Sequence, residues 1–350
     1  MKSAKPPRSK SSGAVTLKAV AEHLGLTAGT VSAVLNNSPA ARSIPEHTRM
    51  RILTAAREMN YRPNFLARSL RVQRTMTVGV IAEEIGDAYG GMVVSGIEEY
   101  LREHNYFFLT VAHRHDPKLL ETYSSMLMAR GVEGFITIDT SIDAQPALPT
   151  VAVAGHQTVE NVTNIVIDHR RAVELALKHL KDLGHERIAF LRGQPTSSDS
   201  ASRWEAIQAV AQDFGIRIRS ELVLQIEGLE STPELGYPYG KALLAKNVPF
   251  TALFAYNDIS AIGCMHALQE AGKRVPEEIS VVGFDDIAIA PFSIPALTTV
   301  RQPLLKMGRI AAQTLLDRID EHSAFIQEIR IAPELIVRRS TGPVRGPVSI

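Results

Sequence analysis

Between residues 16 and 59, apolar positions recur at helical spacing. Leu17, Val20, Ala21 and Leu24 stand at i, i+3, i+4 and i+7, and Gly25 ends that run after two turns. Thr27 is placed to cap a second helix whose buried side is Val31, Val34 and Leu35. Pro45 suits the first position of a third helix, which turns Ile52, Ala56 and Met59 inward. Two short helices joined by a tight turn containing glycine, with a third behind them, predict a helix-turn-helix.

From Thr77 the pattern changes to short β-rich runs: TVGVIA, YFFLTVA, GFITID, TVAVAG, NIVID, RIAFLRG, LVLQIE, TALFAYN and ISVVGFD. Segments such as 172–183, 203–214, 233–245 and 260–271 carry helical spacing between them. Near-continuous apolar strands alternating with helices predict parallel sheets covered on both faces. Nine or more strands over about 265 residues exceed the usual five to six per sheet, so two sheets are expected, hence two subdomains with a cleft between them. The fold class is thus a small all-α head followed by an α/β body of two parallel-sheet subdomains.

The joint YRPNFLARSLRVQR, residues 61–74, has its own pattern. Asn64 can cap a helix over 65–70, with Leu66 and Leu70 on one face and the small Ala67 between them. A helix this short is marginal in water, so it is expected to fold only against a second copy of itself or a nucleic acid groove. The organisation that follows is a basic arm over 1–14, a helix-turn-helix over 15–60, a hinge over 61–74, a body over 75–341 and a tail over 342–350. The arm, rich in Lys, Pro and Ser, reads as disordered, and serves equally as a solubilising tail or a DNA contact.

Charge sharpens this division. Residues 1–74 hold 13 Lys and Arg against 3 acids, net +10, which leaves 25 basic and 34 acidic residues of the chain's 38 and 37 for the remainder, net −9. A basic head on an acidic body suggests that the head, and not the body, meets a polyanion. No run of 18 apolar residues occurs, so no membrane partner is expected. The N-terminus lacks the apolar core of a secretory signal, and a single cysteine excludes internal disulfides. Both point to the cytoplasm.

The chemistry of the body is that of binding. The glycine-rich and nucleophile-elbow signatures of nucleotide and hydrolase sites are missing, so no catalytic residue and no cofactor is expected. His113-Arg-His115-Asp116 reads as a polar loop at a strand end, since no other His or Cys stands at ligand spacing, and no metal is expected. Cys264, among apolar neighbours in AIGCMHAL, reads as a small buried hydrophobe. Open parallel sheets bind ligands at the carboxyl ends of their strands, where Asp168, Asn257-Asp258 and Asp285-Asp286 fall. Any one of them also suits a helix N-cap. Arg203 is expected near the start of a helix, where a cation is unfavourable without a ligand or carboxylate partner.

Taken together, VTLKAVAEHLGLTAGTVSAVLN, YRPNFLARSL, HLKDLGHERIAFLRG, YNDISAIGCMHAL, ISVVGFDD, PALTTVRQP and LIVRRST resemble the LacI/GalR family of bacterial transcription regulators, in family order from residue 15 to 341. The resemblance implies a body like a periplasmic sugar-binding protein, with two subdomains joined by three crossovers. It implies a homodimer on palindromic double-stranded operator DNA, acting as a repressor, with a small molecule in the cleft altering the hinge. Thr27, Thr30, Ser32 and Asn36 match positions that hold phosphates; Ala28, Gly29 and Ala33 match positions that meet base edges. Thr16, Leu17 and Asn64 fall on further DNA-contacting positions. Leu70 matches a wedge inserted between base steps in the minor groove, and Ala67 the contact between paired hinge helices.

In the cleft, Tyr89, Asp168, Arg203, Asn257 and Asp285 match positions the family commonly uses for ligand. An Arg and several Asp or Asn groups beside an apolar wall suit a hydroxyl-rich, uncharged molecule such as a sugar. The chain departs from the family pattern at Ala154, where relatives often carry Asp, and at Ser231, where several carry an aromatic ring. Glu83, Glu84 and Asp87 make the exit of the first strand acidic, which disfavours an anionic ligand unless Arg203 dominates. The segment NNSPAARSIPEHTR is longer than in well-known relatives, and its Arg42 suits either a DNA contact or a solvated loop. A secreted solute-binding protein would share the body without the basic head, and an enzyme would need the missing motifs. No leucine heptad follows Ser340, so a dimer is expected rather than a coiled-coil tetramer.

Overall fold

The structure is a computed structural model that describes residues 15–62, 69, 73–142, 145–155, 157–228, 232–322 and 324–344. The arm 1–14, Asn64, Ala67, Leu70, Ser231 and residues 345–350 lie outside the described residues. The chain divides into two compact units, Met1–Thr75 and Met76–Ile350.

In the first unit, α1 spans Leu17–Leu24, α2 Ala28–Leu35 and α3 Glu46–Glu58. Thr16 Oγ1 accepts from the Ala19 amide at 3.1 Å, closing the first turn of α1. Gly25 ends α1 with φ 66°, a left-handed position that a side chain disfavours, and its amide returns to Ala21 and Glu22. Thr27 caps α2 through the Thr30 amide at 3.2 Å. A short 3-10 turn, Pro39–Ser43, fills the long connection to α3. Pro45 is the N-cap of α3 rather than its first helical residue, a shift of one that its missing N–H permits at either place. Val20, Val31 and Ile52 are fully buried where the three helices meet. Each contributes about 1.5–3 kcal/mol by leaving water.

The second unit holds two six-stranded sheets. In the first, β1 (Thr77–Ala82), β2 (Phe107–Ala112), β3 (Phe135–Ile138), β4 (Thr150–Val153), β5 (Val162–Ile167) and β11 (Glu328–Ile331) lie in the order β11-β5-β4-β3-β1-β2, all parallel. In the second, β6 (Ile188–Arg192), β7 (Val223–Gln225), β8 (Ala252–Phe254), β9 (Ser280–Asp285), β10 (Thr298–Arg301) and β12 (Glu334–Ile336) lie in the order β12-β10-β9-β8-β6-β7. Here β12 runs antiparallel to β10, at the edge of an otherwise parallel sheet. It is an edge strand, where either direction can be accommodated.

Among the described residues the α-helices number ten: α4 (Ala88–Glu103) and α5 (Pro117–Ala129) follow the first strands, and α6 (His169–Asp182), α7 (Ser198–Asp213), α8 (Tyr237–Ala245) and α9 (Asp258–Glu270) cover the second sheet. The last, α10 (Leu304–Ile319), packs on the first. The chain therefore crosses between subdomains three times: after β5, between β10 and α10, and between β11 and β12. The second crossing delivers α10 onto α4 at very short range. A Cβ on Gly96 would lie 2.0 Å from the Leu305 carbonyl oxygen, and one on Gly308 2.1 Å from that of Val93. Only glycine lets these backbones touch, which fixes how the returning helix seats.

Residues 342–344 are not a free tail. The Gly342 carbonyl accepts from the His185 ring at 3.0 Å, and the Val344 amide donates to Leu183 O at 2.9 Å, tying the chain to the second subdomain.

Candidate functional site

The carboxyl ends of the central strands meet across a cavity between the two subdomains. Glu83 and Glu84 follow β1, His115 follows β2 and Asp139 follows β3, forming one wall; Gln194 follows β6, Tyr256 and Asn257 follow β8, and Asp285 ends β9, forming the other. Tyr89 from α4 and Asp199 and Arg203 from α7 complete the lining. An open α/β sheet offers unpaired polar groups at this end, so it is the natural place for a ligand.

Arg203 anchors the second wall and is only 3 % exposed. Its Nη2 reaches Asp199 Oδ2 at 3.1 Å, one turn earlier on the same helix, and its Nη1 donates to the Tyr256 carbonyl. The guanidinium carbon lies 3.6 Å from the centre of the Phe284 ring and 4.6 Å from that of Tyr256. Its charge is therefore already matched by a buried carboxylate and two ring faces, and it does not dominate the cleft. The expected carboxylate partner exists, but α7 starts at Ser198, five residues earlier than the sequence pattern indicated, so Arg203 sits inside the helix. Asp199 in the first turn favours the helix dipole, which explains how a Ser/Asp-rich stretch becomes helical.

Asn257 caps α9 by accepting from the Ser260 amide at 2.9 Å, in a reciprocal capping box, and still lines the cavity. Asp285 is buried beside it, receives a bond from Gln302 Nε2 at 2.8 Å, and has its pKa pushed well above the usual carboxylate range by burial. Asp285 and Asp286 both adopt positive φ, 109° and 59°. Such a pair persists where neighbours over-determine it. Here Gln302 holds the first, while Arg301 at 2.7 Å and Arg338 at 2.6 Å hold the second.

The first wall is acidic. Burial, together with the charges of Asp139, Glu84 and Asp87, pushes the Glu83 carboxyl from an ordinary 4.5 up to about 9. His115 Nδ1 stands 2.5 Å from Glu83 Oε1, yet burial lowers the pKa of that imidazole. Glu83 thus keeps its proton in the folded chain at neutral pH and loses it when unfolded. Its folded pKa is raised, so stability is lost progressively as pH rises from about 4.5 towards about 9. Glu83→Gln removes that slope. The variant is expected to match the parent at pH 5 and to melt higher at pH 8, by about 2–4 °C per kcal/mol recovered. Parallel melting curves at both pH values would refute the crowding of carboxylates.

Of the five cleft residues expected from sequence, Tyr89, Arg203, Asn257 and Asp285 line one cavity. Asp168 is the exception. It caps α6 by accepting from the Arg171 amide at 3.0 Å, the commoner role for Asp after a strand, and is not among the lining residues. Asp139, Asp199, Ser197 and Tyr256 were missed. Asp139 ends GFITID, the same strand-end signal that singled out Asp168. The loop His113–Asp116 contributes His115 to the cavity, while His113 Nε2 lies 3.1 Å from Thr140 Oγ1. No group of three metal-binding side chains occurs among the described residues. Cys264 is fully buried, and burial pushes its thiol up to about 12, so it is an inert hydrophobe.

The outward side of α2 is small and open. Thr27, Ala28 and Gly29 are exposed, and Thr30, Ser32, Ala33 and Asn36 half-exposed. The polar groups brace one another: Thr27 Oγ1 lies 2.9 Å from Thr30 Oγ1, and Asn36 Nδ2 donates to Ser32 O at 2.8 Å and Ser32 Oγ at 3.1 Å. A Cβ on Gly29 would meet nothing closer than 3.8 Å, so the head's own packing does not require glycine there. Thr16 is exposed at the α1 cap, Leu17 packs partly into the head core, and Arg42 is exposed on the 3-10 turn.

A helix-turn-helix head in one chain with a two-subdomain ligand-binding body defines the class of DNA-binding transcription regulators. The chain belongs to the LacI family of bacterial regulatory proteins, whose model matches residues 16–64, and a periplasmic binding protein-like domain matches 177–341. It is 33 % identical over 335 residues to the HTH-type transcriptional repressor PurR of Haemophilus influenzae, covering 93 % of this chain and 98 % of that one. The lac repressor dimer bound to operator and the anti-inducer ONPF superposes with a TM-score of 0.83 at 26 % identity, covering 94 % and 99 % of the two chains. The regulator CelR in complex with cellobiose gives a TM-score of 0.70 at 27 % identity, covering 93 % and 99 %. These relatives are regulators and not enzymes, and no helix among the described residues is long and apolar enough to cross a membrane.

Proposed function

We propose that this chain is a cytoplasmic transcriptional repressor that binds a palindromic operator as a homodimer and is controlled by a carbohydrate in the cleft. The observation that carries the effector half is the convergence of Tyr89, Arg203, Asn257 and Asp285 on one cavity between the subdomains. The likeness to a cellobiose-bound regulator supports a sugar-like ligand. Apolar side chains left exposed on the body, among them Phe292 at 77 % and Ile294 at 84 %, offer surface for a second copy to cover.

In this reading α2 enters the major groove. Thr16, Leu17, Thr27, Thr30, Ser32 and Asn36 position it on the backbone, and Ala28, Gly29 and Ala33 lie against base edges. Thr27 and Thr30 bond one another through one hydroxyl proton, so the hydroxyl that accepts keeps its own O–H to donate to a phosphate oxygen. Small side chains give up the bidentate bonds worth about 1–3 kcal/mol each, so much of the specificity falls to deformation at the operator centre. Asn64, Ala67 and Leu70 form the hinge that makes it, with Leu70 as the wedge.

The test is operator selection from a randomised duplex pool with the full chain, followed by fluorescence anisotropy. A strong central preference with relaxed flanks is expected. Leu70→Ala is expected to weaken binding about tenfold to a thousandfold, the equivalent of losing a few kcal/mol of wedge-dependent contacts, and to leave ligand affinity unchanged. Unchanged operator affinity in that variant would remove the wedge. Strict guanine discrimination opposite Ala33 would move the reading of bases to Arg42 or the arm.

A further inference from the structure

The two cleft walls differ in charge in a way that a neutral sugar leaves unanswered. The second wall offers matched hydrogen-bonding groups, namely Arg203, Asn257, Gln194 and Ser197, and its guanidinium is neutralised by Asp199. The first wall brings Glu83, Glu84, Asp87 and Asp139 to the same cavity, and the leading charges acting on Glu83 are the other three carboxylates. Two further groups are poised for something not part of the chain. The Tyr89 hydroxyl is sealed from solvent without a hydrogen-bond partner, and so is Nε of the buried Arg203. A sealed donor without an acceptor is costly, so both call for oxygen atoms from a ligand.

We infer that the effector is a protonated amino sugar, its ammonium set against Glu83 and its acidic neighbours and its hydroxyls against Arg203, Tyr89 and Asn257. This rests on the cleft being the effector site. The walls divide the work. The hydroxyls satisfy paired donors and acceptors as any hexose would, while the ammonium supplies the counter-charge that crowded carboxylates otherwise replace with protons. Binding therefore releases protons from the first wall. A neutral hexose leaves the first wall without a counter-charge, and an anionic one is repelled by it.

The full chain is titrated with glucosamine, galactosamine and mannosamine, each beside its parent hexose and its N-acetyl derivative, at mildly acidic pH where the amines are charged. Calorimetry in buffers of different ionisation enthalpy reads both affinity and proton release. At least one amine is expected to bind about tenfold or more tightly than its two neutral counterparts, with protons released, and Glu83→Gln is expected to remove both that advantage and the proton release. A neutral counterpart binding as tightly as its amine overturns the charge assignment and leaves the cleft reading in place. Failure of all three amines to bind overturns the amino-sugar assignment. Binding that persists in Gln194→Trp, which fills the cleft, overturns the cleft itself as the site.

Discussion

Removing residues 1–74 is expected to cost the chain about 10³-fold or more in operator affinity, which is the gap between specific and non-specific DNA binding at physiological salt. The head carries the net +10 and the body a net −9, so the remainder has no electrostatic term with which to hold a polyanion. The same cut should leave the body intact. Among the described residues, its hydrophobic clusters contain none before Met76, and the head's cluster contains none after Tyr61. Met76 itself is tied into the body by its amide, which donates to Glu133 Oε1 at 2.8 Å. The truncated chain is therefore expected to keep its thermal transition, its dimerisation and its ligand affinity. Anisotropy on the selected operator, at one fixed salt concentration, decides the matter. Binding within tenfold of the full chain would show that the body, not the head, carries DNA recognition.

The head was readable because its determinants are local. Thr16, Gly25 and Thr27 act through residues three or four positions away, so cap and stop signals fall within about one turn. What stayed hidden was the mutual bracing of Thr27 with Thr30 and Asn36 with Ser32, since spacing does not say whether a side chain bonds its neighbour or points outward.

In the body, nine strands announced themselves by apolar runs, all but the edge strands β2 and β7 buried, but β10, β11 and β12 did not. Two of these are edge strands, with exposed Glu328, Arg330 and Glu334 and few apolar positions, so only long-range pairing makes them strands. The third, β10, is buried but carries Thr298 and Thr299, and Thr298 receives its support from Ser340, 42 residues away. Asp139 and Asp168 illustrate the same limit within the site. Both end strands of the first sheet, yet β3 lies beside β1 at its middle while β5 lies next to the edge strand β11. Which carboxylate faces the cleft follows from strand order, which is not written in either segment.

Arg203→Ala is expected to destabilise the body by about 3–5 kcal/mol, because it takes the guanidinium from Asp199 in a dry site and leaves that carboxylate to the His169 ring, 3.2 Å from its Oδ1. At about 2–4 °C per kcal/mol, the transition should fall by about 6–20 °C. Loss of the guanidinium from the Phe284 and Tyr256 faces adds to the same direction. Stability and function separate in the double variant Asp199→Leu/Arg203→Met, which replaces both charges with apolar volume. Replacing a buried ion pair in this way is often neutral or stabilising, so the double variant is expected to recover most of the transition temperature while failing to bind effector and to change its operator affinity in response. Calorimetric melting of the three proteins, read beside the change in operator affinity on adding the effector, distinguishes the roles. If the single variant melts within a degree of the parent, Asp199 is not held by Arg203. If the double variant still responds to effector, the pair is scaffolding and the cleft binds through its other residues.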